Sequence, residues 1–437
     1  MKPAAWKFPS CIYSPRTTDE LAQALKILRS SNTKFAVRGS GHSPLSGWAN
    51  IDNKVLISMS QFNSKEYDKG SETVRLGFGN TWGSAYEYLE QFNRLVVGGR
   101  APSVGLATII GGGLSHLSNK YGFVSDNVVS FELMMPNGTM KLVNATSSPD
   151  LFFALKGGSN NYELKGIGII THATLRTYEV KRVWGGSIIY SNEYRDQLML
   201  AFAAYQRSGQ LDRNSALLSY MGINNNTIYV TMIHLNATER PAAFQPFYEI
   251  PNVYDGTGLQ DNFTAVISQQ MDLVVPRWTW GATTFYLDEA TYVEVAQICQ
   301  NATAGLAGIN GGTMVLMPQP ISTSMISESL ARGESPMVSG LTSKAQLWFS
   351  INVGWNFASD DSKVEALLLD TFKKIDNMTK KRKQHDQFIF QNDAFSTQNT
   401  LISYGKKTFD RLQKVSREVD PDRMFQRLVP GGFKIGV

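Results

Sequence analysis

The chain has 437 residues, too many for one ordinary hydrophobic core, so two domains are expected. Hydrophobic residues make up 42% and charged residues 18%, which excludes a disordered protein. The net charge is +5 with scattered basic residues, and no stretch is apolar and long enough to span a bilayer. The longest basic cluster, Lys380-Lys381-Arg382-Lys383, lacks interleaved aromatic residues and reads as a solvated helix end. Neither a nucleic acid, a membrane nor a metal is therefore expected as a partner.

Cysteine is scarce: Cys11 and Cys299 form at most one bridge and read equally well as buried thiols. The chain opens on a short Pro/Ala segment without a signal-peptide pattern. Asn-x-Ser/Thr sequons begin at Asn137, Asn144, Asn225, Asn236, Asn262, Asn301 and Asn377, seven where chance gives roughly four. The excess leans toward a secreted glycoprotein.

In chain order, a short strand at 11–13 precedes a helix over 19–30, with Thr18 or Asp19 as N-cap and Leu21, Ala24, Leu25 and Leu28 on one face. A strand at 34–37 ends in Arg38-Gly39-Ser40-Gly41-His42-Ser43-Pro44. Strands follow at 55–58 and 73–76, then a helix over 82–92, and a segment at 95–99 that turns into glycine-rich chain. A hairpin of 128–135 and 139–143 turns on Pro136-Asn137-Gly138. From about Gly185 long β-prone segments alternate with helices: strands at 227–234, 280–286, 313–317 and 346–355, helices at 195–205 and 361–375. That pattern predicts an antiparallel sheet covered by helices, an α+β arrangement. In 346–355, Gln346, Trp348, Ser350 and Asn352 share one face, which priors read as a wet sheet face. The tail from 388 holds a strand, a helix over 407–418 and the stop Asp420-Pro421.

Three glycine-bearing loops in the first 120 residues suggest a phosphate-bearing cofactor, because glycine lets backbone N–H groups approach a pyrophosphate. A Rossmann site is excluded: Gly77-Phe78-Gly79 has Trp82 in place of the third glycine and no ribose-binding carboxylate follows. Gly39-Ser40-Gly41 is followed by Pro44 and Gly47, so no helix starts there, and no Walker A lysine occurs. The remaining option is a cofactor buried between several loops.

Arg38-Gly39-Ser40-Gly41-His42-Ser43 after a strand resembles the FAD pyrophosphate loop of the vanillyl-alcohol-oxidase (PCMH-type) superfamily, most nearly its fungal berberine-bridge-enzyme-like branch. Gly98-Gly99-Arg100 with Val104-Gly105, Gly111-Gly112-Gly113, Tyr121-Gly122, Asp126-Asn127-Val128, residues 149–158, Ser403-Tyr404-Gly405 and Asp420-Pro421 match in the same order. The resemblance covers nearly the whole chain. It implies an FAD-binding domain of two α/β subdomains over 1–180, a substrate domain over 181–385 and a returning segment over 386–437. It places Arg38, Gly39, Ser40, Gly41, His42, Ser43, Ala101, Val104, Gly105, Gly111, Gly112, Ser115, Gly168, Ile169 and Tyr404 at the flavin. His42 falls where the family bonds the flavin 8α-methyl, and Ala101 falls where many relatives carry a second, cysteine link, so a single covalent bond is implied. Val104 falls on the position that gates oxygen in the family's oxidases.

Three departures stand out. Ala107 and Thr108 occupy the place of a glycine pair, residues 162–166 form an insertion, and Phe390 stands where many relatives have a phenolic base. Candidates for the proton-accepting role are then Tyr404, Asp393, Gln391 and His116. On a strand, Gln391 and Asp393 would share one face, so only one of the pairs Phe390/Asn392 and Gln391/Asp393 could face the flavin. The implied activity is hydride transfer from a C–H bond to flavin N5 with O2 reduced to H2O2, on a secondary metabolite or a carbohydrate, by a monomer. Non-redox isomerisation or cyclisation is the alternative, and a degenerate flavin-binding protein a third; the intact His42 loop argues against the last.

Overall fold

The computed structural model describes residues 5–158, 168–224, 226–269 and 275–435. Near the N-terminus, extended Thr17 accepts from the Glu20 amide and opens the helix Thr18–Ser30, whose Leu21, Leu25 and Leu28 are buried. The cap thus lies one residue before the two the sequence offered. That helix is the crossover that a parallel pairing requires. Strand Val55–Ser58 lies between Cys11–Tyr13 and Phe35–Arg38, parallel to both.

A second sheet is antiparallel and six-stranded, ordered Lys65–Asp68, Thr73–Gly77, Ile169–Glu179, Val128–Met134, Met140–Asn144, with Arg94–Val96 also on Ile169–Glu179. Within it the Arg75 guanidinium grips Glu132 in bidentate fashion, Nε–Oε1 2.6 Å and Nη2–Oε2 2.9 Å. The predicted insertion at 162–166 and the sequon at Asn225 lie outside the described residues.

The third sheet has nine strands, built around the run Val183–Ser191, Thr227–His234, Ser215–Gly222, Thr313–Ile321, Gln346–Trp355 and Arg277–Tyr286. Helices Arg195–Arg207, Glu289–Ala302 and Asp361–Lys381 bury Leu198, Phe202, Tyr292, Val295 and Leu368 against one face, where Phe349 and Ile351 point. The other face of Gln346–Trp355 is also buried: Gln346, Trp348, Ser350 and Asn352 are all covered. The wet-face reading is corrected here. Rings from elsewhere in the chain cover Trp348, with Phe123 at 5.3 Å, Phe388 at 5.1 Å and Phe390 at 4.4 Å between centroids.

Two further expectations change. Residues 387–390 form no strand, because the Phe388 amide donates to Asp386 Oδ1 and the Ile389 amide to Ser403 Oγ rather than to a ladder. Cys11 is exposed, Cys299 is buried, and both are free thiols, so there is neither a bridge nor a buried pair.

Asp126 links the smaller sheets to the large-sheet part. Its Oδ2 accepts from the Phe123 amide at 2.8 Å and from the hydroxyl of Ser329. Burial raises its pKa to about 6, against the pull of Lys156, Ser329 and Phe123. The folded carboxyl keeps its proton to higher pH than the unfolded one. Its stabilising contribution is complete below the unfolded value near 3.8 and disappears as pH rises through about 6. Asp126→Asn keeps an acceptor and cannot ionise. Between pH 3.5 and 7 it should gain about 3 kcal/mol on the wild type in urea unfolding, and a pH-independent difference would contradict this.

Candidate active site

The parallel strand Phe35–Arg38 delivers residues 39–44 to its carboxyl end as a loop. Gly41 has φ +76°, a left-handed conformation that favours glycine. Among the described residues, no main-chain hydrogen bond occupies the amides of Ser40, Gly41 or Ser43. Such a run of unclaimed N–H groups beside a cavity is an anion-binding concavity.

A second loop, residues 99–105, is pinned from behind. The amides of Trp82 and Gly83 donate to the carbonyls of Val104 (2.9 Å) and Pro102 (3.0 Å), and the Tyr86 hydroxyl donates to that of Gly99 at 2.8 Å. Trp82, which spoiled the Rossmann pattern, packs directly on Gly98 and Gly99, where a Cβ would lie 2.3 and 2.5 Å from its ring. The two loops touch at Gly105, where a Cβ would stand 2.5 Å from Ser40 Oγ.

Both loops face a cavity of about 660 Å³ that the large sheet closes from the far side. Of the residues expected at the flavin, Gly39, Ser40, Gly41, His42, Ser43, Ala101, Val104 and Gly105 line it. His42 is exposed toward it. Arg38, Gly111, Gly112, Ser115, Gly168, Ile169 and Tyr404 are not on its wall. Gly111 fits against Asn392, whose Nδ2 donates to the Thr108 carbonyl at 3.0 Å, and Gly112 fits against Met337. Ile169 packs in the core beside Met134.

The proton-accepting candidates divide. Gln391 and Asp393 line the cavity, and so do Phe390, Asn392 and Ala394. The strand alternation fails because Gln391–Asp393 is a single 3₁₀ turn, in which the side chains that share a side are three apart, as Phe390 and Asp393 are, rather than two apart. Tyr404 lies behind, stacked on Phe388 at 5.4 Å, and burial raises its pKa. His116 is buried in the loop after the triple glycine, 5.9 Å from the Phe263 ring. Burial and the nearby Arg100 charge push its pKa down to about 3, so it is neutral at ordinary pH.

Arg100 and Tyr220 on the wall, and Gln319 beside it, have no role in the sequence expectation, whereas Asp393 is one of its candidates. Arg100 and Asp393 both face the cavity, bridged by Gln319 from strand Thr313–Ile321. Gln319 Oε1 accepts from Arg100 Nη2, and its Nε2 donates to Asp393 Oδ2 at 2.7 Å. Burial lowers the Arg100 pKa, opposed by Asp393 and Tyr220, and raises that of Asp393, opposed by Arg100 and the Gln319 hydrogen bond. Tyr220, Trp278, Trp280 and Asn352 complete the large-sheet wall. Arg100 lay inside a recognised motif; Tyr220 and Gln319 carried no local signal.

Gly105→Ala would force the two loops apart. Separation worth about 1.4 kcal/mol weakens the initial, reversible capture of flavin about tenfold, so reconstitution of flavin-free protein should need about ten times more FAD. An unchanged FAD requirement would contradict the contact.

A profile described as an FAD binding domain matches residues 9–144. The bifunctional solanapyrone synthase of Alternaria solani is 42% identical over 98% of this chain and 82% of its own. An FAD-dependent monooxygenase of Arthrobotrys oligospora is 31% identical over 98% of this chain and 82% of its own. The glucooligosaccharide oxidase of Acremonium strictum, described as carrying a 6-S-cysteinyl, 8α-N1-histidyl FAD, superposes with a TM-score of 0.75. That likeness covers 96% of this chain and 91% of that one at 14% identity, and it shows the fold alone. With these relatives, the chain belongs to the FAD-dependent oxidoreductases that carry this FAD binding domain.

Proposed function

We propose that the protein is an oxidase that removes a hydride from a substrate C–H bond and delivers the electrons to O2, forming H2O2. The observation that carries the reading is the single cavity in which an unclaimed amide loop and His42 face a half-buried carboxyl, Asp393. Bound FAD supplies the hydride acceptor and the route to oxygen. The amides of Ser40, Gly41 and Ser43 would hold its pyrophosphate, and His42 would anchor it covalently. Ala101, on the wall where many relatives carry a cysteine, leaves that bond as the single link.

Asp393 takes the proton from a substrate hydroxyl. Burial makes it a stronger base than an ordinary carboxylate, and Gln319 fixes its orientation. Val104 leaves room for oxygen on the same wall. Secretion with N-glycans belongs to the same reading, since Asn137, Asn236, Asn301 and Asn377 are exposed.

A second reading, non-redox ring closure or isomerisation by the same site, is favoured by the name of the 42% identical relative, a bifunctional synthase. On turnover of a substrate found by screening, one H2O2 per O2 consumed supports the oxidase, and product without oxygen uptake supports the second reading. In the oxidase, Asp393→Asn should lower kcat about 10²- to 10⁴-fold with flavin retained. The wild-type kcat/KM should fall on the acid side with an apparent pKa above the ordinary carboxylate range, because the base must be ionised to work. An unchanged kcat would remove Asp393 from this role.

A further inference from the structure

We infer that Arg100 is the substrate-anchoring group of this cavity and selects a planar, conjugated molecule bearing an anionic or carbonyl oxygen. The inference rests on the functional reading above. It starts from the charge inventory of the wall, where Arg100 and Asp393 are the only Arg, Lys, Asp or Glu side chains among the described residues. They do not pair directly. Gln319 stands between them, accepting from Arg100 Nη2 and donating to Asp393 Oδ2. Among the described residues no other side-chain acceptor is bonded to the guanidinium. Arg100 therefore keeps N–H donors in hand on a wall where burial opposes its charge.

A guanidinium in that state is poorly compensated, and the group that satisfies it best is a planar oxygen acceptor approached in its own plane. The wall beside it has the matching shape. Trp278 and Trp280 point the same way from alternate positions of strand Arg277–Tyr286, and Tyr220 projects from Ser215–Gly222. Flat aromatic walls with one cation suit a conjugated ring better than a substrate whose surface is mostly hydroxyl. His116 adds no competing charge, because it is neutral and its ring is hydrogen-bonded to the Arg100 backbone. Gln319 is a positioning residue: by holding Asp393 through Oδ2 it keeps carboxyl and guanidinium apart and both available to one substrate.

The test uses benzoate and benzyl alcohol as probes, with binding to the purified flavoprotein read by titration calorimetry and by the flavin absorbance. Wild type should bind benzoate more tightly than benzyl alcohol. Arg100→Met should weaken benzoate about 10- to 100-fold, the worth of a hydrogen bond to a charged group, and leave benzyl alcohol nearly unchanged. Arg100→Lys, which keeps the charge without the planar fork, should fall between them. Equal affinity of the wild type for the two probes overturns the inference without any variant, and so does undiminished benzoate binding by Arg100→Met. Calorimetry reads binding with or without a flavin. A protein that never holds flavin contradicts the functional reading, whereas a flavoprotein indifferent to the benzoate charge contradicts only this one.

Discussion

Helices cover one face of the nine-stranded sheet, and the first half of the chain together with the C-terminal segment must keep water from the other. That requirement organises the molecule. Trp348 meets Phe123, Phe388 and Phe390 in a stack that closes most of the second face, and Asp126 reaches Ser329 at its margin. Where the cover is incomplete, the two glycine loops and the strands carrying Tyr220, Trp278, Trp280 and Asn352 stand across from one another. The cavity is the space that remains between a sheet face and loops that cannot fill it, and its chemistry comes from both sides.

The loops are legible in the sequence because their constraint is local. Gly41 in a left-handed conformation and Gly105 against Ser40 are requirements of a few neighbouring atoms, and they leave glycines at fixed positions. The strands of the large sheet are equally local: 227–234 and 346–355 show their β-prone or alternating pattern directly. What covers them is not local. Gln346, Trp348, Ser350 and Asn352 look like a wet face because polar residues alternate with apolar ones, and nothing within the strand announces the rings of Phe123 and Phe388. The same blindness affects residues 388–394, whose composition reads as strand although the amides of Phe388 and Ile389 find side-chain partners and those of Asp393 and Ala394 find turn partners.

Electrostatics divides the candidate acids and bases more sharply than sequence position could. Tyr404 and His116 have no share in the cavity wall, and burial favours the neutral form of each. Asp393 is also disfavoured as an anion by burial, and Arg100 and Gln319 offset part of that cost. A carboxyl raised in this way is a stronger base than an ordinary one. Gln319 sits 74 residues from Asp393 and 219 from Arg100, so this balance exists only in the folded chain.

The central claim is that flavin is held in this cavity by His42. Mass mapping of proteolytic peptides from the acid-precipitated protein tests it directly. The account predicts a yellow pellet and one peptide containing His42 heavier by the mass of FAD less two hydrogens, with the colour lost from the pellet of His42→Ala. Flavin attached to a different residue, or colour released wholly into the supernatant, would contradict the covalent anchor. Protein that takes up no flavin even on reconstitution would contradict the site itself.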